Sequence, residues 1–207
     1  MPDNSDKQIF RYNESAGITT LDPAYAKDQS LIWGCTQLYN GLVRLDEQLQ
    51  PQPCIARSWT ISPDGKTYTF TLRSDVLFHK NPLFNTPDST RPVTADDFLY
   101  SFNRIFNPNS DSPGRWIFSD VEGFEAPDDT TFVIRLTQPF SPFLSLLGMA
   151  YCSVVPHEVV EHYGPDFRQH PCGTGPFYMQ LWKENVKLVM RRNPLYFEYD
   201  STGHRLP

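Results

Sequence analysis

An α+β fold is predicted by three features of the 207-residue sequence. Two stretches alternate apolar and polar residues directly after a Pro-Asp turn, a strongly amphipathic helix lies between them, and 19 prolines scatter the remaining elements among loops. An apolar share of 39%, with 14% aromatics, suffices for a packed core. The net charge of −6 offers no clustered Lys and Arg excess to neutralise phosphates, which argues against a nucleic-acid partner. No apolar run reaches the roughly 18–20 residues that cross a bilayer. The leader Met1-Pro2-Asp3-Asn4-Ser5-Asp6-Lys7 lacks the apolar centre of a signal peptide, as also expected where a secretion signal has been removed.

Residues 8–13 read as a short opening strand, and Leu21-Asp22-Pro23 interrupts the chain because proline disfavours helix at the residue before it. Leu31, Cys35, Leu38 and Leu42 then recur at helical spacing behind Ser30 as N-cap, with Asn40-Gly41 as the stop and Leu42 just outside. Pro63-Asp64-Gly65 is turn chemistry, followed by Tyr68, Phe70 and Leu72 alternating with Thr67, Thr69 and Thr71. Pro127-Asp128-Asp129 precedes Phe132, Ile134 and Leu136 in the same way, so the two strands are expected as neighbours in an antiparallel sheet.

Between them Ala95, Phe98, Leu99, Phe102, Ile105 and Phe106 share one helical face. Thr94 is its natural N-cap, Asp97 completes a capping box, and Asn107-Pro108 ends it. The unpatterned residues 74–93, His79 to Pro92 above all, are expected as a surface loop. Ser141-Pro142 and Pro156 start two further helices, the second ended by Gly164-Pro165. Residues 177–182 and 186–190 flank Lys183-Glu184-Asn185 and read as a hairpin.

Residues that could carry chemistry are sparse. Cys35, Cys54, Cys152 and Cys172 form no Cys-x-x-Cys pair, so neither a zinc ribbon nor a redox motif is supported, and both a disulfide and buried free thiols stay open. His157 and His162 lie five apart, about 140° around a helix, whereas a zinc-protease helix needs i and i+4. Asp96 and Asp97 point apart and suit the helix N-terminus. Gly173-Thr174-Gly175 lacks the third glycine of a dinucleotide fingerprint and reads as a backbone bend beside a cleft. Trp33, Trp59, Trp116, Trp182, Tyr25 and Tyr39 belong either to a cleft or to the core. No nucleophile–base pair is found, so no catalytic residue, metal or cofactor is expected.

Several motifs in order resemble the family 5 extracellular solute-binding proteins, the oligopeptide-, dipeptide- and nickel-binding components of ABC transporters. They are Leu21-Asp22-Pro23, Leu38-Tyr39-Asn40-Gly41-Leu42, Pro53 through Trp59, Ser62-Pro63-Asp64-Gly65 and Tyr68 through Arg73. Val76-Leu77-Phe78-His79, Pro92 through Phe98 with Tyr100-Ser101, Asp128 through Leu136 with Pro139, Gly173 through Phe177, Trp182 and Arg192 through Tyr196 complete the series.

The resemblance implies a two-lobed periplasmic-binding-protein fold, a mixed-sheet lobe plus a small accessory α/β domain. Residues 1–44 and 154–207 would belong to the ligand-binding lobe and residues 45–153 to the accessory domain. Members are considerably longer, so the chain is expected to stop before the second lobe. By resemblance the ligand meets Tyr25, Ala26, Lys27, Asp28 and Gln29 as an added strand, and borders Gly173, Thr174, Gly175, Pro176 and Phe177. Backbone pairing suits a carrier of varied peptides. The implied role is capture of a peptide, or of nickel, haem or sugar, for a membrane-embedded ABC permease, or solute sensing. The expected location is the periplasm or the outer face of the cytoplasmic membrane, with a lipid anchor in a longer, monomeric parent. A chain lacking its second lobe would expose apolar surface and self-associate. Lys27, Asp28 and the loop at 80–92 depart from better-known members and leave the ligand class open.

Overall fold

A computed structural model describes residues 8–207. In chain order the elements are α1 (Gln29–Leu38), β1 (Val43–Leu45), β2 (Pro51–Pro53), β3 (Ala56–Ile61), β4 (Thr67–Leu72), α2 (Ala95–Phe106), β5 (Val121–Asp128), β6 (Thr131–Leu136), α3 (Phe143–Leu146), α4 (His157–Tyr163), β7 (Phe177–Lys183) and β8 (Lys187–Arg192). Helices and antiparallel sheets are segregated along the chain, an α+β architecture. β1 pairs with β2, β7 with β8, and the middle of the chain builds a sheet in the order β3-β4-β6-β5.

The expected neighbour relation of the two alternating strands is present, with Tyr68 opposite Ile134 and Phe70 opposite Phe132. All four side chains are buried, and they form the floor on which α2 lies. Phe102 of α2 meets Phe118, Phe124 and Phe132 at ring distances of 5.1, 5.5 and 5.5 Å. Full burial of each such ring stabilises the fold by about 1.5–3 kcal/mol. At the N-terminus of α2 the Asp97 carboxylate accepts from the Thr94 N–H at 2.9 Å and from its hydroxyl at 3.2 Å, the expected capping box. Thr94→Ala is therefore expected to lower stability by about 1 kcal/mol. In urea unfolding this reads as a lower midpoint at unchanged slope.

Several expectations are corrected. Residues 8–13 form no strand, because no partner for them exists among the described residues, and Ile9, Phe10 and Tyr12 are exposed. The N-cap of α1 is Asp28, not Ser30, which is buried in the first turn. α1 stops at Leu38, before Asn40-Gly41, where another loop packs across its end. Pro127 and Asp128 end β5 and do not form the turn, which falls on Asp129-Thr130. α3 is a single turn, and α4 passes at Gly164 (φ 52°) into a 3-10 helix over Gly164–Gln169.

Strands β3 and β5 escape the alternation test because they are the edges of the sheet. Arg57, Ser58 and Thr60 are polar or exposed, and two bulges interrupt the pairing of β5. Residues 74–93 are not a bare surface loop. Val76, Phe78, Phe84 and Val93 are buried, Leu77 bridges Pro92, and the Val93 N–H donates to the Val76 carbonyl at 2.9 Å. Their irregular spacing hides this small ribbon from any periodicity.

The cysteine alternatives resolve to four buried free thiols. Burial pushes all four up, Cys54 to about 12, which keeps them as unreactive apolar groups. A single apolar cluster runs from Leu21 to Phe197, and hairpin β7–β8 packs on it through Met179, Trp182, Leu188 and Met190. Among the described residues, no helix is long and apolar enough to cross a membrane.

Candidate functional site

The two segments singled out by the resemblance are built very differently. Leu21-Asp22-Pro23 is held from three directions. The Leu21 N–H donates to the Arg168 carbonyl at 3.0 Å, the Tyr39 hydroxyl donates to the Leu21 carbonyl at 2.9 Å, and Arg104 of α2 donates to both oxygens of Asp22, at 2.6 and 3.3 Å. Burial pulls the Arg104 guanidinium down, but the neighbouring Asp22 outweighs it and holds the group above its ordinary value. Asp22 also caps a 3-10 turn, Pro23–Tyr25, by accepting from the Ala24 N–H.

The chain then turns again. The Lys27 N–H donates to the Tyr25 carbonyl at 2.9 Å across Ala26 (φ −77°, ψ 72°), an inverse γ-turn. Ala26 is fully buried, Tyr25, Lys27, Asp28 and Gln29 are exposed, and Gln29 is already the first residue of α1. Residues 25–29 are thus not one extended segment. Asp28 has a strand-like conformation (φ −107°, ψ 154°), and as N-cap it also places negative charge at the positive end of α1.

Residues 173–177 lie at the other end of the same helix. Gly173, Thr174 and Gly175 are buried, and Pro176 and Phe177 are half-buried. The Gly175 N–H donates to the Leu38 carbonyl at 2.9 Å and so satisfies an acceptor that the end of a helix leaves unpaired. A Cβ on Gly173 would sit 2.1 Å from the Leu38 oxygen, and one on Gly175 would sit 2.4 Å from the Leu38 carbonyl carbon. Both positions therefore demand glycine. The expected backbone bend exists, and its reason is this approach to α1.

The bend is tied down by side chains. Thr174 donates to the Asn40 amide oxygen at 3.0 Å, and the Asn193 amide donates to the Gly175 carbonyl at 2.9 Å. His79 reaches in with its whole polar complement, taking the Gly173 N–H on Nδ1 at 3.2 Å and placing Nε2 3.0 Å from the Gly175 carbonyl. Its own N–H donates to the Gly173 carbonyl at 2.7 Å. Arg104, His79 and Asn193 were not identified as structural partners of these segments from the sequence. His79 and Asn193 stand inside recognisable motifs, but nothing in their spacing says what they hold.

The structure therefore does not bring the two segments into contact. It fixes them at opposite ends of α1, about 15 Å apart for ten residues at 1.5 Å rise. Trp33 lies between them on the helix, half exposed, with the Tyr12 ring 4.9 Å away. Trp116 and Tyr25 are likewise exposed, whereas Tyr39 is core. Trp116 borders a separate hollow of about 380 Å³ with Phe106, Arg115, Phe118 and Ser119.

Asp97, His157 and Glu158 do converge, with ligand-type atoms within 4.8 Å of one another. Arg91 already occupies the centre of that group. Its guanidinium pairs with both oxygens of Asp97 at 2.7 and 2.8 Å and with both oxygens of Glu158 at 2.6 and 2.7 Å. The cluster is a clamp in which one arginine pairs two carboxylates, and the guanidinium fills the place a cation would take. His162 takes no part and stacks edge-on against Tyr163.

The profile of the bacterial extracellular solute-binding proteins, family 5 middle region, matches residues 50–205. The chain belongs to family 5 of these solute-binding proteins. It is 28% identical over 215 residues to the "Probable deoxycholate-binding periplasmic protein YgiS" of Escherichia coli K12, covering 95% of this chain and 38% of that one. It is 31% identical over 183 residues to the "Glutathione-binding protein GsiB" of Salmonella typhi, covering 88% and 34%. The fold is similar to that of the periplasmic binding protein DppA from Helicobacter pylori in complex with the peptide STSA, with a TM-score of 0.78, 29% identity, and coverage of 87% and 38%. The chain thus spans a little over a third of the length of these family 5 relatives.

Proposed function

We propose that this chain is part of an extracytoplasmic solute-binding component of an ABC transporter that captures peptides and delivers them to a membrane permease, without catalysis of its own. The observation that carries this reading is the likeness, over 87% of the chain, to a family 5 protein solved with a bound peptide. Residues 1–44 and 154–207 would form the ligand-holding lobe, with 45–153 as the accessory domain. In this reading the solute lies along α1, pairs with backbone near Lys27 and Asp28, and borders residues 173–177. Capture then works by closure of a second lobe over the solute, the hinge motion common to such proteins.

The test is calorimetry on the full-length protein that contains this chain, with the peptide STSA, glutathione and deoxycholate as probes. Micromolar or tighter binding of STSA or glutathione, with no turnover, is expected. The 207 residues alone are expected to bind at least tenfold more weakly, since a one-sided site buries too little of a ligand. The 95% coverage by the probable deoxycholate-binding relative favours an amphipathic steroid carboxylate as the second reading. Heat from deoxycholate alone would decide for it and against peptides.

A further inference from the structure

We propose that His79 is the positioning residue of the ligand-bordering loop: one neutral imidazole, bridging the Gly173 N–H and the Gly175 carbonyl, sets the loop edge that a solute meets. The proposal rests on the reading of residues 173–177 as a ligand border and adds to it the group that determines their shape.

The geometry fixes the tautomer. Nδ1 lies 3.2 Å from a backbone N–H and must accept, while Nε2 lies 3.0 Å from a carbonyl and must donate. The ring is buried at 5% exposure. With the backbone bond from the His79 N–H to the Gly173 carbonyl, three bonds from one residue converge on two loop residues, Gly173 and Gly175. The same His79 lies within the ribbon of residues 74–93, between Phe78, whose N–H donates to the Arg91 carbonyl, and Asn81, whose N–H donates to the Ser89 carbonyl. The loop edge is thus registered against the middle of the chain as well as against α1.

A second proton on Nδ1 would face the Gly173 N–H, donor against donor. Burial drives the imidazole down to about 4, against a smaller upward pull from the Gly175 carbonyl. The groups facing it are the Tyr178 ring of β7 at 6.3 Å and the Cys172 thiol, 3.5 Å from the His79 carbonyl, with the charges of Arg91 and Glu158 beyond Cys172. Because the folded value lies below the ordinary 6.5, the unfolded chain binds the extra proton first. The contribution of His79 to stability is complete above about pH 6.5 and is lost as pH falls toward 4.

The test compares His79→Phe with His79→Gln in the full-length protein. Glutamine carries an acceptor and a donor on one planar group, and phenylalanine carries neither. Hydrogen exchange at residues 173–177 is measured against β6 as a reporter of global opening, with affinity for STSA and glutathione read in parallel. In His79→Phe, exchange at 173–177 should accelerate beyond any change in β6 and affinity should fall about tenfold or more, since a buried N–H loses its acceptor. His79→Gln should restore both, while removing the wild-type slope of stability between pH 6.5 and 4. Equal acceleration in the loop and β6, or unchanged affinity in a loosened loop, would overturn the proposal. A wild-type protein that takes up neither probe sinks the ligand reading and the affinity half with it, while the exchange comparison still decides whether His79 sets the loop.

Discussion

Gly173→Ala is expected to destabilise the chain by more than about 3 kcal/mol, the upper end of what overpacking usually costs. The added Cβ would meet the Leu38 carbonyl oxygen at 2.1 Å and the Tyr39 ring at 2.4 Å. The first obstacle is backbone at the end of a helix and cannot swing aside. Relief requires lifting the loop off α1, which breaks the Gly175 bond to Leu38 and the His79 bonds together. The control is Gly123→Ala in β5, where nothing lies within 4 Å of the new atom. That change should be neutral or stabilising by a few tenths of a kcal/mol. Equal urea midpoints for the two variants would show that the loop does not press on α1.

Arg91→Met should cost about 3–5 kcal/mol near neutral pH, because it leaves the carboxylates of Asp97 and Glu158 facing each other without their shared cation. The Asp97 side chain is 2% exposed, so water cannot replace the guanidinium. Burial lowers the Arg91 value, but hydrogen bonds and charge from both carboxylates raise it well above that of an ordinary arginine. At Glu158 burial raises the carboxyl, and Arg91 outweighs this to hold it below the ordinary 4.5. A depressed carboxylate contributes stability that is present above its unfolded value and lost as pH falls through the folded one. The wild type should therefore lose this contribution below about pH 4.5, and the variant should show a smaller loss there. Adding Asp97→Asn should recover part of the cost, and strict additivity would contradict the clamp.

The same two features show where the sequence was readable. Helix α2 was legible from end to end because its periodicity, cap and stop act locally, within a turn of one another. Strands β4 and β6 were legible because each buries one face. Arg91 was not, since its partners lie 6 and 67 residues away and belong to two different helices. The Leu21-Asp22-Pro23 motif could be recognised, but Arg104, which orients it, is 82 residues distant. Residues 25–29 were expected to be extended, whereas the proline and the buried Ala26 fold them into consecutive turns. For residues 173–177 the two glycines signalled a bend, and only packing revealed that α1 is what they bend around.

Helix α1 also acts as a ruler. Its ends carry the two proposed contact segments, and a hydrogen-bonded helix can be neither shortened nor stretched without breaking, so their separation is a fixed length of about 15 Å. An extended peptide advances about 3.3 Å per residue, so four or five residues bridge that length and two do not. On the proposed function, the size of solute that can engage both segments is written into the number of residues in one helix.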